Sequence, residues 1–241
     1  MSWFEAIILG IIEGITEFLP ISSTGHLTIA EKLMGYQIDS PEVTAFTAII
    51  QIGAILAAVL YFWSDIRRVA TAWLAGLFNK SARSQADYKF GWAIILGSVP
   101  IAVVGLTFQD TIETSLRSLW WVAAALFLWS FVLLWADHLP VHRRVEKDVT
   151  WKDTLFIGLM QCIALIPGVS RSGATMAAGL MAGFDRVTAT RLSFFLGIPA
   201  LSAAGVLQAA TKYEDIGGGT IGWGPTILAT VVSFIVGYIA I

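Results

Sequence analysis

EGITEFLPISSTGH, from Glu13 to His26, and PGVSRSGAT, from Pro167 to Thr175, are the stretches whose reading decides the fold. Each interrupts an apolar run with a short polar segment. The first follows apolar sequence running to Leu19, breaks at Pro20 to Gly25, and resumes as a short helix up to Gly35. The second lies within 154–183, breaks at Pro167 to Gly173, and resumes in the same way. Neither half is long enough to cross a hydrocarbon core of ~30 Å, which takes about 20 helical residues. A helix, a polar Gly/Pro/Ser break and a second short helix read together as a re-entrant hairpin. Irregular backbone at that depth is tolerated only where protein or a water-filled cavity surrounds it.

Outward from these breaks the chain reads as membrane protein. Charged residues make up 13% of the sequence and apolar residues 56%, against about 25% charged in an ordinary soluble domain. Five long apolar runs, 44–63, 90–108, 118–136, 192–210 and 223–241, are each of spanning length, which excludes a soluble core protein. No basic patch suits nucleic acid. The single cysteine, Cys162, excludes an intramolecular disulfide. The N-terminal apolar run lacks a basic flank and is interrupted by Glu13 and Glu17, so a cleavable signal is not expected.

Positive charge gathers in two loops. Residues 64–89 carry Arg67, Arg68, Lys80, Arg83 and Lys89, and residues 137–153 carry Arg143, Arg144, Lys147 and Lys152. The positive-inside rule places both in the cytoplasm and loop 109–117 outside. Two spans separate the basic loops, so the span count puts them on one side as well. Trp63, Trp92, Trp120, Trp121, Trp135 and Trp223 fall near the predicted span ends, as an aromatic belt does.

The two interrupted segments also resemble each other. GIIEGI from Gly10 and PISSTG from Pro20 match GLMQCI from Gly158 and PGVSRSG from Pro167. Further on, IGAILAA from Ile52 matches IPALSAA from Ile198 at nearly the same offset. Three spans lie between the hairpins, and an odd number inverts the second copy. The expected fold is an all-α integral membrane protein of one domain, 1–241, with repeat 1 about 1–136 and repeat 2 about 154–241. Its two re-entrant hairpins enter from opposite faces and meet at mid-membrane, the architecture of many transporters.

The meeting tips carry the chemistry. Ser22, Ser23, Thr24 and Gly25 precede one short helix, and Ser170, Arg171, Ser172 and Gly173 precede the other. Helix N-termini with free N–H groups, hydroxyls and a close-approach glycine bind phosphate, and Arg171 adds a planar fork suited to it. One such tip alone reads as ordinary N-capping; two paired tips with an arginine read as an anion site. Glu13 and Glu17 share a helix face at i, i+4 and repel each other there. Arg171 compensates only one of them, and a bound phosphate adds further negative charge. A divalent cation, Mg²⁺ or Ca²⁺, held by Glu13 and Glu17 is therefore expected. His26 lies three residues after Ser23, and imidazole as a side-chain type suits proton transfer near neutrality. Gln51 and Gln161, which place amides in apolar helices, are weaker candidates, with bridging between helices as the alternative.

These two motifs, in this order and at this separation, resemble those of the bacterial undecaprenyl-diphosphate phosphatases of the bacitracin-resistance family, and the resemblance covers essentially the whole chain. It implies a multi-pass enzyme of the bacterial plasma (inner) membrane that removes the terminal phosphate of undecaprenyl diphosphate, recycling the lipid carrier of peptidoglycan synthesis and conferring bacitracin resistance. It also implies a divalent-metal requirement, an active site open to the outer (periplasmic) face, and one further helix beyond Ile241. By motif, Glu13 and Glu17 become the acidic pair, Ser23 and His26 the reactive pair, and Arg171 the phosphate clamp. Ser22, Thr24, Ser170 and Ser172 line the pocket. In the favoured mechanism Ser23 attacks phosphorus and Glu17 or His26 takes its proton; a metal-activated water is the runner-up. Expected partners are the polyprenyl diphosphate, membrane lipid and, as a candidate, a second copy of the chain. A transporter or flippase of a lipid phosphate or small anion is the main competing function. It needs an anion clamp but no nucleophile with a proton acceptor.

Overall fold

The computed structural model describes every residue except 114–115, 117, 140–142, 212–213, 215 and 217–218, together with all side chains of the described residues except that of residue 113. The order of helices is α1 (Trp3–Thr16), α2 (Ser23–Leu33), α3 (Pro41–Tyr61), α4 (Trp63–Phe78), α5 (Ala86–Thr107), α6 (Gln109–Glu113), α7 (Leu119–Asp137), α8 (Trp151–Gln161), α9 (Arg171–Met181), α10 (Arg186–Thr211) and α11 (Trp223–Ala240). Among the described residues the only β-type pairing is one isolated bridge between Arg144 and Phe184.

Local sequence explains the helix ends. Ser2 caps α1 in a capping box with Glu5, and Thr150 caps α8 in a box with Asp153. The short helices α2 and α9 start on serine caps, Ser22 and Ser170. Among the described residues five helices, α3, α5, α7, α10 and α11, are long and apolar enough to cross a membrane. α1, α2, α8 and α9 have 14, 11, 11 and 11 residues. At 1.5 Å per residue they reach only about 21 or 17 Å, short of the hydrocarbon core. The apolar runs started three helices too late: α3 begins at Pro41, α5 at Ala86 and α10 at Arg186. In each, the polar first turn continues the helix beyond the hydrophobic segment.

Packing follows a paired pattern. α1 lies on α11 and α8 on α5; α1 contacts α2 and α8 contacts α9; α3 packs against α10 in the middle. One core gathers Leu9, Leu27, Val43, Phe46, Ile50 and Ala229 around the first interrupted segment. Another gathers Phe90, Ile157, Ala178, Phe184, Leu192 and Leu196 around the second. Between lipid-facing helices there is little hydrophobic drive, so close approach through small residues supplies much of the contact. A Cβ at Gly158 would stand 1.9 Å from the Gly97 carbonyl oxygen, and one at Gly53 would stand 2.1 Å from that of Thr230. In contrast α7 is mostly uncovered, with Trp120, Phe127, Leu128, Phe131 and Trp135 exposed.

The face that carries the basic loops is tied by ions. Arg191 of α10 contacts Glu146 at 2.7 Å and Asp65 of α4 at 3.1 Å, and its guanidinium lies over the rings of Phe62 and Phe195. Arg68 joins Asp65, Asp87 and Glu146. Arg144 grips Asp153 at 2.7 Å and the Ala182 carbonyl at 2.8 Å. Burial alone would raise the Asp65 pKa, but hydrogen bonds from Arg68 and the charge and hydrogen bond of Arg191 hold it below the usual carboxylate value.

Two outcomes follow from this packing. Gly158→Ala should lower the thermal unfolding midpoint of detergent-purified protein by several degrees, since overpacking costs about 1–3 kcal/mol. Gly105→Ala, whose nearest neighbour would be 3.8 Å away, should leave the midpoint unchanged. Equal midpoints for the two variants would refute the close α5–α8 crossing. Because the folded-state pKa of Asp65 is depressed, its stabilisation is present above the unfolded value of about 3.9 and is lost as pH falls through the folded value. The stability gap between wild type and Asp65→Asn should accordingly be constant near neutrality and shrink below about pH 4.

Candidate functional site

The break after α1 is built from one strained residue. Ser22 has φ +70°, a conformation that disfavours side chains. It is held by what it bonds. Its hydroxyl accepts from the Gly25 N–H at 3.2 Å, and its carbonyl accepts from the His26 N–H at 3.2 Å and from His26 Nδ1 at 2.8 Å. At the second break Gly168 takes φ +101°, and a Cβ there would stand 2.6 Å from the Val122 carbonyl oxygen, so glycine is required. The Ser170 hydroxyl then accepts from the Gly173 N–H at 3.0 Å.

These turns bring the two tips together. The Ser172 hydroxyl donates to the Leu19 carbonyl at 3.1 Å and lies 3.0 Å from that of Ser170. Arg171 reaches across: one terminal nitrogen donates to Glu17 Oε1 at 2.9 Å, and the other donates to the Ser193 carbonyl of α10 at 2.9 Å. Ser23 Oγ donates to the other Glu17 oxygen, Oε2, at 2.6 Å. Glu17 thus joins a hydroxyl and a guanidinium in one buried chain, with side chains 6% and 12% exposed for Glu17 and Arg171. Charges this buried persist only when paired and hydrogen-bonded.

A cavity of about 220 Å³ opens onto this chain. Of the residues singled out in the sequence, Glu17, Ser22, Ser23, Thr24, Ser170, Arg171 and Ser172 line it; Gly25 and Gly173 do not. The N–H groups of those two glycines are taken by the serine caps, which corrects the expectation that they are free for a ligand. The first two N–H groups of each short helix, at Ser23 and Thr24 and at Arg171 and Ser172, have no acceptor within the helix.

Glu13 and His26 lie outside the cavity lining. Glu13 is fully buried and neither of its carboxylate oxygens has a hydrogen-bond partner, though it stands within electrostatic reach of Glu17, Glu31 and Arg171. His26 is half-buried. Its Nδ1 faces a carbonyl, which only accepts, so Nδ1 carries the proton and the neutral ring offers Nε2 as an acceptor. Three polar residues of the lining were not assigned there from sequence: Thr16, Thr44 and Gln51. Thr44 and Gln51 are spaced i, i+7 on α3, a helical-face signal that could have marked them. The remaining wall is apolar, including Ile101, Ile112, Leu165, Leu201 and Ala204.

Comparison with known proteins agrees in direction. The family model described as bacitracin resistance protein BacA matches residues 6–241. A protein of Frankia casuarinae named undecaprenyl-diphosphatase 3 is 62% identical over 241 residues, covering all of this chain and 86% of the relative. Undecaprenyl-diphosphatases of Cutibacterium acnes and Acidothermus cellulolyticus are 59% and 49% identical, again over all of this chain and over 87% and 86% of the relatives. With both motifs at the cavity and a match over nearly its whole length, the chain belongs to the BacA family of bacitracin resistance proteins.

Proposed function

We propose that this protein hydrolyses undecaprenyl diphosphate to undecaprenyl phosphate and phosphate, recycling the lipid carrier of peptidoglycan synthesis. The observation that carries the reading is the 2.6 Å contact from Ser23 Oγ to Glu17. A carrier for lipid phosphate needs the Arg171 clamp but not a hydroxyl already aimed at a carboxylate. The names of the relatives supply the substrate, and the apolar wall beside the polar tips suits a lipid.

The chemistry is mostly positioning and charge stabilisation, as phosphoryl transfer generally is. Arg171 and the first N–H groups of α2 and α9 hold the terminal phosphate. Ser23 attacks its phosphorus as Glu17 takes the hydroxyl proton and the lipid monophosphate leaves; water then attacks the phosphoserine, the proton returns from Glu17 to Ser23 Oγ, and phosphate departs, while Ser170, Ser172 and Thr24 offer hydroxyls to the phosphate oxygens. His26 lies behind Ser22 and supports the tip. A divalent cation, Mg²⁺ or Ca²⁺, fits the unpartnered buried oxygens of Glu13. No group of three or more His, Cys, Asp and Glu side chains among the described residues could hold a metal. The protein would therefore offer Glu13 and Glu17, with phosphate and water completing the shell. When bound, such a cation supplies neutralisation of the diphosphate charge.

The paired packing of α1 on α11 and α8 on α5 supports an inverted repeat of 1–136 and 154–241, with the segments α1–α2 and α8–α9 as re-entrant hairpins. The same reading sets the orientation in the bacterial inner membrane. The ion network lies with the basic loops on the cytoplasmic side. The lining residues Thr44, Ile101, Ile112, Leu201 and Ala204 belong to the opposite ends of their helices or to α6 between α5 and α7. The cavity then opens to the outer face.

Phosphate release by purified protein should fall about 100-fold or more in Glu17→Ala, Arg171→Ala and Ser23→Ala. Glu17→Gln and Arg171→Lys should fall comparably while keeping more of the fold, since removing one partner of a buried ion pair is strongly destabilising. Undiminished release by the Glu17 and Arg171 variants would sink the site assignment, and near-normal turnover by Ser23→Ala would eliminate the serine nucleophile. Chelation should abolish release and Mg²⁺ or Ca²⁺ restore it; activity indifferent to chelator removes the metal. For orientation, a cysteine at Ser81 should react with an impermeant thiol reagent only from the cytoplasm and one at Thr111 only from outside. The reverse pattern would turn the molecule over.

A further inference from the structure

The cavity has a polar wall that the reaction described so far does not use. Thr44 and Gln51 lie on one face of α3, across from the tips, and both line the cavity. The Thr44 hydroxyl is buried and has no hydrogen-bond partner. A buried polar group without a protein partner in a membrane interior calls for a partner in the space it faces. Here that space also holds Arg171 and Ser23. Of the other lining residues outside the tips, Ile101, Ile112, Leu201 and Ala204 offer no side-chain donors, and the Thr16 hydroxyl already donates to the Ile12 carbonyl at 2.6 Å.

A lipid diphosphate carries two phosphates. Ser23, Arg171 and the helix tips account for one, the terminal phosphate. The second, esterified to the lipid, is also charged and enters the same cavity, where Thr44 and Gln51 are the polar side chains left on the α3 side. We infer that Gln51 and Thr44 form a subsite for the lipid-bearing phosphate, the leaving group of the reaction; this rests on the phosphatase reading. In the step, the bond from Ser23 Oγ to the terminal phosphorus forms and the bond from that phosphorus to the bridging oxygen breaks. The electron pair leaves with the bridging oxygen on the lipid monophosphate, and the Ser23 proton goes to Glu17. Charge thus grows on the oxygens beside α3. The Gln51 amide N–H₂ and the Thr44 hydroxyl are neutral donors that stabilise it without the desolvation cost of another cation.

Farnesyl diphosphate as substrate, with farnesyl monophosphate and inorganic phosphate as product inhibitors, separates the two subsites. Gln51→Leu and Thr44→Val should each lower kcat about tenfold or more, and should raise the Ki of farnesyl monophosphate while leaving that of inorganic phosphate unchanged. Thr44→Ser, which keeps the hydroxyl, should behave as wild type. Unchanged kcat and Ki values in Gln51→Leu would overturn the proposal and leave Gln51 as a helix bridge. An equal rise in both Ki values would also overturn it, by placing these side chains on the terminal phosphate. Should Gln51→Leu fail to fold, the Thr44→Val and Thr44→Ser pair decides, and identical farnesyl monophosphate Ki values for the two overturn the subsite. Wild-type protein that releases no phosphate from farnesyl or undecaprenyl diphosphate would fail earlier, at the phosphatase reading itself.

Discussion

The buried chain from Ser23 to Glu17 to Arg171 is the contact on which the rest depends. It joins residues 154 positions apart and couples the tip of α2 to that of α9. A carboxylate and a guanidinium this far from water survive only as a pair; both terminal nitrogens of Arg171 are bonded, and its Nε alone has no partner. Each tip therefore needs the other. The polar breaks at Pro20 and Pro167 are tolerated because they face each other and a cavity rather than lipid.

The surrounding helices serve that meeting. Gly97 against Gly158 and Gly53 against Thr230 let backbones approach closely where a side chain would hold them apart. Short helices of 11 residues, capped by Ser22 and Ser170, start where the tips meet. Two residues before the Ser193 carbonyl that Arg171 meets on α10, Arg191 closes the basic face with Asp65, Glu146 and two phenylalanine rings. One end of the molecule is thus sealed by ion pairs and aromatic packing, and the cavity occupies the other half.

The sequence reading reached the site through residue type and spacing, and its misses are equally physical. Glu17, Ser23 and Arg171 were legible because ionisable and hydroxyl residues in an apolar chain stand out. Gly25 and Gly173 were read as letting phosphate approach helix ends with free N–H groups; the serines that mark each helix start take the N–H of these two residues, leaving the earlier ones of each first turn. Sequence spacing placed His26 with Ser23, whereas the strained turn at Ser22 draws its ring onto a backbone carbonyl. Thr44 escaped notice because a threonine near a helix start looks like any other; only the tertiary packing reveals that its hydroxyl is buried at a cavity wall.

From sequence alone it follows that this is a helical membrane protein with two interrupted segments, that Glu13, Glu17 and Arg171 are charges set in apolar surroundings, and which family its motifs resemble; the buried Glu31 was not legible there. Hydropathy and the cost of charge in hydrocarbon are local properties, readable one residue at a time. Tertiary structure alone decided which partner each buried group meets: Arg171 with both Glu17 and Ser193, Ser172 with Leu19, and Thr44 and Gln51 with the cavity. Those pairings depend on how helices distant in the chain cross, and glycine contacts such as Gly97 with Gly158 fix the crossings through shape, which no single segment encodes.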